Sequence, residues 1–160
     1  MAIEYDFVAG TPVPVKQVIA DVQEVMRAWG MVGAEVVPDL VLDEGATTGS
    51  GLWIRVLDAN PRPWDPVIQD FKFTPTVRVA FRLDKVADTT AQTDEMVRLV
   101  AGLLERISGD AVLHLGYELI WLLRLNGDVS LNERDDLWQP QRLAAITQPY
   151  RRATRAFSDT

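Results

Sequence analysis

Two amphipathic helical segments, each preceded by a strand, organise this sequence. Apolar residues recur with helical spacing over residues 15–29 and again over residues 96–107. The segments before them, at residues 2–8 and 76–83, alternate apolar and polar residues as a strand with one buried face does. A helix with one apolar stripe must bury that stripe, so we expect both helices to pack against a sheet.

Further strands are predicted from short apolar runs bounded by turn residues. Residues 34–42 and 51–58 are rich in β-branched and large apolar side chains and predict a hairpin, with residues 43–50 as its turn. The dipeptide Asn126-Gly127 is a strong signal for a second hairpin. Three strands are expected after the second helix, near residues 111–115, 118–125 and 128–131.

The predicted order is strand, helix, strand, strand, followed by strand, helix and three strands. It resembles two βαββ units in tandem and indicates an α+β fold, in which a largely antiparallel sheet carries two main helices on one face. A short C-terminal helical segment is expected at Gln141–Thr147, followed by a helical or frayed basic tail with Arg151, Arg152 and Arg155. A length of 160 residues, 48% of them hydrophobic, predicts a single domain over residues 1–160.

Charge and composition narrow the classes of partner. The net charge of −7 disfavours nucleic acid and would attract a basic protein, although solubility alone also explains an acidic surface. No apolar run approaches the roughly 20 residues that a membrane-spanning helix needs, and the N-terminus lacks the pattern of a signal peptide. The absence of cysteine excludes disulfides and Cys-ligated zinc. We therefore expect a cytoplasmic protein with no nucleic-acid or membrane partner.

The residues that common catalytic sites need are scarce. His114 is the only histidine and lies in an apolar strand, so we expect it to be packed or hydrogen-bonded and not part of a catalytic triad or a two-histidine metal site. Acid–base chemistry is conceivable at Asp135-Asp136 and within Asp39–Glu44, but both lie in predicted turns, where aspartate is favoured for local capping. The sequence predicts a binding protein and not an enzyme, with no cofactor and no bound metal.

Two tryptophans are candidate anchors of a protein interface. Trp64 lies in the proline-rich stretch 59–66, and Trp138 precedes Pro140. Exposed tryptophans beside charged groups are typical of interface hot spots, whereas a loop tryptophan can also pin its loop over the core. Acidic loops complete the predicted contact face. The predicted partner-binding residues are Asp39, Asp43, Glu44, Asp58, Trp64, Asp65 and Trp138.

Short segments spread over nearly the whole chain carry a likeness to a known family. In the first half they are Met1–Tyr5, Glu44–Thr48, Trp53–Val56 and Phe73–Val79. In the second half they are Gly109–His114, Ile120–Arg124, Asn126-Gly127 and Leu131–Glu133. Together these segments resemble a family of bacterial immunity proteins associated with swarming-inhibition toxins.

The resemblance implies that the protein protects its producer or the producer's siblings from a toxin delivered between neighbouring cells, by binding that toxin inside the recipient cell. It carries over no catalytic or binding residue, and a shared fold does not by itself fix the function. One alternative is a non-catalytic small-molecule or peptide-binding module, since the concave face of a single sheet can accept a ligand. A hydrolase that uses Asp135, Asp136 or another carboxylate is the third hypothesis.

Overall fold

The computed structural model describes residues 3–31 and 45–158, which form one eight-stranded sheet and four helices. The strands are β1 (Ile3–Gly10), β2 (Ala46–Thr47), β3 (Trp53–Asp58), β4 (Val77–Leu83), β5 (Asp110–Leu115), β6 (Leu119–Leu125), β7 (Asp128–Leu131) and β8 (Tyr150–Arg152). The helices are α1 (Val15–Ala28), α2 (Pro66–Phe71), α3 (Thr89–Arg106) and α4 (Pro140–Leu143). The predicted α+β fold is confirmed.

The first strand of the chain lies in the middle of the sheet. The strand order is β2-β3-β4-β1-β5-β6-β7-β8, and every neighbouring pair is antiparallel except β7 and β8. Helix α1 joins β1 to β3 across β4, and α3 joins β4 to β5 across β1. This is the ferredoxin-like β-α-β-β-α-β arrangement, extended at both edges. The tandem order predicted from the sequence is present along the chain, but its two halves interleave within the sheet.

One face of the sheet is covered by α1 and α3. The side chains of Phe7, Phe81 and Leu113 point from the central strands into this layer and are fully buried. The two helices approach each other closely at Gly102, where an added Cβ would lie 2.5 Å from a methyl carbon of Val25. The sequence prediction that both main helices pack on one face is confirmed.

The opposite face of the sheet is only partly covered. Val8, Val112 and Leu123 point to this side and pack under Val67 and Phe73, which belong to the segment between β3 and β4. Helix α2 lies in that segment and is absent from the sequence prediction, because six residues show no helical period. The polar side chains of β1 and β4 also point to this face, and they form the site described below.

Three predicted details need correction or lie outside the described residues. The strand predicted at residues 34–42 lies outside the described residues, and β3 forms its described hairpin with Ala46–Thr47, within the predicted turn. The C-terminal helix is shorter than Gln141–Thr147 and ends at Leu143. The basic tail is not helical, because Tyr150–Arg152 pair with β7 as a parallel edge strand. No helix within residues 3–31 and 45–158 has the length and apolarity to cross a membrane.

Candidate functional site

A rigid loop presents Trp64 to solvent on the partly covered face. We call residues 59–65 the Trp64 loop. The Trp64 side chain is 70% exposed, and the guanidinium of Arg62 lies 6.0 Å from its ring centre. The backbone N–H of Asp65 donates to the carbonyl of Arg62, and the amide of Gln69 donates to the carbonyl of Pro63. These bonds, together with three prolines around the tryptophan, limit the conformations of the loop.

Asp65 ends the loop and starts α2. Its Oδ1 accepts a 2.9 Å hydrogen bond from the backbone N–H of Val67, and Pro66 occupies the first helical position. Aspartate is a preferred N-cap and proline is compatible with the first helical position, so these adjacent residues specify the turn. The cap fixes the position of the Asp65 carboxylate at the base of the Trp64 loop.

A cavity of about 270 Å³ lies beneath the Trp64 loop. Its polar and charged lining comes from four separate parts of the chain: β1, β4, the Trp64 loop, and the end of β5 with the turn that follows it. Ala59 and Pro61 of the loop also line it. The charged and polar lining residues are Asp6, Asp65, Arg78, His114 and Tyr117.

Asp6 and Arg78 form an ion pair in the floor of the cavity. Arg78 Nε lies 2.6 Å from Asp6 Oδ1, and the two side chains are 39% and 20% exposed, respectively. The residues belong to adjacent strands, in which Val8 of β1 faces Arg78 of β4, so the pair spans the sheet diagonally. The remaining carboxylate oxygen, Asp6 Oδ2, has no hydrogen-bond partner among the described residues.

His114 and Tyr117 form a wall of the cavity. His114 is 1% exposed, and its Nδ1 accepts a 3.1 Å hydrogen bond from the backbone N–H of Tyr117. The two rings stack with their centres 4.5 Å apart. Burial lowers the pKa of His114 from its ordinary value of 6.5, while Asp6 and Asp65 oppose that shift. The neutral imidazole therefore carries its proton on Nε2.

The phenol of Tyr117 links this wall to the Trp64 loop. Its O–H donates to Asp65 Oδ2 over 3.4 Å, a long and therefore weak hydrogen bond. Burial raises the pKa of Tyr117, and the carboxylates of Asp65 and Asp6 raise it further. The ring of Phe157 packs edge-on against both Tyr117 and His114, so the C-terminal tail supports the wall from outside.

The structure places the predicted contact residues in three different ways. Asp58 is exposed at the end of β3, directly before the Trp64 loop, so Asp58, Trp64 and Asp65 belong to one continuous stretch. Asp39, Asp43 and Glu44 lie outside the described residues. Among the predicted contact residues that the structure describes, Asp65 alone lines the cavity.

The expectation that Trp138 is an exposed anchor is wrong. Trp138 is 2% exposed, its Nε1 donates a 2.9 Å hydrogen bond to the carbonyl of Trp121, and its ring packs edge-on against that of Trp121. The adjacent Leu137 is also buried, so both Leu137 and Trp138 pack into the hydrophobic core. Trp138 holds its loop over the core, which is the alternative that its sequence context allowed.

Sequence reasoning missed Asp6, Arg78 and Tyr117 as site residues. Asp6 and Arg78 stand at the polar positions of alternating strands, where solvent exposure is the usual explanation. The register of β1 against β4 brings them together, and nothing local in either strand predicts that register. The expectation that His114 is packed and hydrogen-bonded is confirmed.

The charged side chains of the cavity are suited to binding a polar or charged group. The hydrolase candidates Asp135 and Asp136 are exposed, do not line the cavity, and lie near Arg152 and Arg134, respectively. Within residues 3–31 and 45–158, no group of three or more His, Asp or Glu side chains could hold a metal ion. The cavity instead combines two carboxylates, one guanidinium and one neutral imidazole.

Comparison with known families assigns the chain. The family model described as SitI3-like matches residues 3–142, which include β1 through β7, the Trp64 loop and every described lining residue of the cavity. Comparison with curated proteins and with solved structures gave no significant match. Families with SitI names are immunity proteins of toxin systems, in agreement with the likeness seen in the sequence. The chain therefore belongs to the SitI3-like family, and SitI is the name given to families of immunity proteins in toxin systems.

Proposed function

We propose that this protein neutralises a cognate toxin by binding it through the Trp64 loop. The observation that carries the proposal is the 70% exposure of Trp64 on a loop whose backbone is already held in place. Tryptophan is enriched among the residues that dominate binding energy, and a rigid anchor loses little conformational entropy when it binds. The membership in the SitI3-like family supports a toxin as the partner.

The proposed mechanism is occlusion without catalysis. Trp64 inserts into the toxin, and the surrounding acidic residues Asp58 and Asp65 face it. The net charge of −7 accelerates the encounter with a basic toxin through electrostatic steering. The toxin then loses access to its own target for as long as the complex persists.

The second exposed tryptophan of the described residues provides a matched control. Trp29 is 51% exposed at the end of α1, which packs on the opposite face of the sheet, and Arg98 lies 4.7 Å from its ring centre. Both tryptophans are thus exposed and each has an arginine over its ring. Trp29→Ala therefore removes a similar exposed ring from the opposite face of the molecule.

The test is co-expression with the toxin encoded beside the gene for this protein. We expect the unaltered protein and the Trp29→Ala variant to rescue growth, and Trp64→Ala to fail. In binding measurements with purified proteins, we expect Trp64→Ala to weaken the complex by about 30-fold or more, as hot-spot tryptophans do. Equal loss in both variants would reject the Trp64 loop as the contact, and absence of any complex would reject toxin neutralisation.

A small-molecule or peptide-binding module is the alternative function, and the cavity of about 270 Å³ is the observation that favours it. Sites for drug-sized ligands typically measure roughly 300–1,000 Å³ and are mostly apolar. The cavity is slightly smaller than that range, and half of its lining residues are charged or polar. Saturable binding of a small molecule that the toxin does not displace would support this alternative.

A further inference from the structure

We propose that the cavity beneath the Trp64 loop receives a basic side chain, arginine or lysine, from a loop of the toxin. This inference rests on the proposed function and specifies the chemistry of the partner at the same surface. Ala59, Pro61 and Asp65 belong to the Trp64 loop and also line the cavity. A partner that contacts Trp64 therefore lies beside residues that line the cavity.

The charge balance of the cavity favours a cation. Asp6 and Asp65 each contribute a negative charge, Arg78 contributes one positive charge, and His114 is neutral, so the formal sum is −2 + 1 = −1. The Oδ1 atoms of both aspartates already accept bonds, from Arg78 and from the N–H of Val67. Their Oδ2 atoms have weak or no partners within the described residues. An ammonium or guanidinium group would supply the donors that these oxygens lack.

His114 indicates that the cation arrives as part of a polypeptide. The imidazole lines the cavity, and its Nε2 has no hydrogen-bond partner among the described residues, although the residue is 1% exposed. The Nε2–H group is therefore available to an acceptor that enters the cavity. A backbone carbonyl next to the basic side chain can accept from Nε2–H, whereas a free cation offers no acceptor.

The size of the cavity suits one side chain. A volume of about 270 Å³ corresponds to roughly nine water molecules in the liquid, which is enough for a single long side chain and little else. The ring of Tyr117 forms one wall, and aromatic faces attract cations. Arginine or lysine therefore matches the cavity in charge, in hydrogen bonding and in volume.

The test compares two substitutions with the same chemistry. Asp65→Asn removes one of the two negative charges of the cavity. It keeps an N-cap for α2, because asparagine caps as well as aspartate does. Asp88→Asn is the matched control, since Asp88 caps α3 in the same way and does not line the cavity. We expect Asp65→Asn to weaken the complex with the toxin at least tenfold and Asp88→Asn to change its affinity less than twofold. Both variants should keep the circular-dichroism spectrum of the unaltered protein.

Substitution of each exposed Arg and Lys of the toxin by alanine completes a double-mutant cycle. One of these toxin variants is expected to lose at least tenfold in affinity for the unaltered protein and to lose little further affinity for Asp65→Asn. If the toxin binds but no basic residue couples to Asp65, the cavity inference is wrong while the proposed function stands. If the unaltered protein does not bind the toxin, the proposed function fails, and this inference fails with it.

Discussion

The guanidinium of Arg142 contacts the carboxylate of Asp94, with Arg142 Nε 2.6 Å from Asp94 Oδ1. The two side chains are 6% and 18% exposed, so the pair is nearly withdrawn from water. Arg142 also donates to the backbone carbonyls of Asp136 and Leu137. One buried arginine thus joins α3, α4 and the segment that follows β7.

Loss of the partner of Arg142 should be costly. Asp94→Asn leaves a buried guanidinium without a counter-charge, and we expect the free energy of unfolding to fall by about 3 kcal/mol in urea titrations. Asp136→Asn is the control, because Asp136 pairs with Arg134 at a fully exposed position. No measurable change is expected there. Similar losses in both variants would contradict a special role for the buried pair.

The contact between the two main helices should not tolerate a methyl group. Gly102→Ala gains about 1 kcal/mol of helix propensity but places a Cβ 2.5 Å from a Val25 methyl carbon, and overpacking of this kind costs about 1–3 kcal/mol. We expect a net loss of up to about 2 kcal/mol in thermal or urea unfolding. Gly49→Ala meets no atom within 4 Å and should be neutral. A stabilised Gly102→Ala protein would show that the helices can separate without penalty.

Stability should depend on pH through His114. Because the folded pKa of His114 lies below its ordinary value of 6.5, the unfolded chain binds the proton more readily than the folded protein. The free energy of unfolding should therefore decrease as the pH falls below 6.5, and this contribution should level off below the folded pKa. His114 is the only histidine, so His114→Gln should flatten the profile between pH 8 and pH 5. Parallel profiles for the two proteins would refute this assignment.

Substitution of the two tryptophans of the predicted contact face should have different effects: loss of Trp138 should lower stability, and loss of Trp64 should weaken binding. Trp138→Ala removes a buried ring and should cost about 3–5 kcal/mol of unfolding free energy. Trp64→Ala removes a ring that is 70% exposed and should change the stability by no more than about 0.5 kcal/mol. Thermal unfolding of both variants, set beside their affinity for the toxin, checks the prediction. A stable Trp138→Ala protein would place that ring outside the core.

The main elements could be predicted because their signals are local. The alternation of Ile3, Tyr5 and Phe7 lies within one segment, and β1 appears within two residues of its predicted bounds. The apolar stripe predicted over residues 96–107 lies in α3, which begins earlier, at Thr89. Strand β8 has no such signal. Its residues Tyr150–Arg152 are mostly exposed, and only their pairing with β7 makes them a strand.

The cavity could not be predicted for the same physical reason. Asp6 and Arg78 meet because β1 pairs with β4, and Asp65 reaches them because the Trp64 loop folds back over the sheet. The sequence identifies Trp64 and Asp65 through their proline-rich surroundings. It does not reveal that a polar floor and the His114 ring lie beneath them.

The central position of β1 has a consequence for how the chain is made. Of the eight described strands, β1 is synthesised first. Phe7 can pair with Val79 on one side and Leu113 on the other only after those residues have also been synthesised. Until β4 and β5 have been synthesised, the apolar face of β1 has no sheet to join. Contacts between residues so far apart in sequence are slow to form. A newly synthesised molecule therefore completes its central sheet only late in synthesis, and the proposed neutralisation of a toxin would depend on molecules that had already folded.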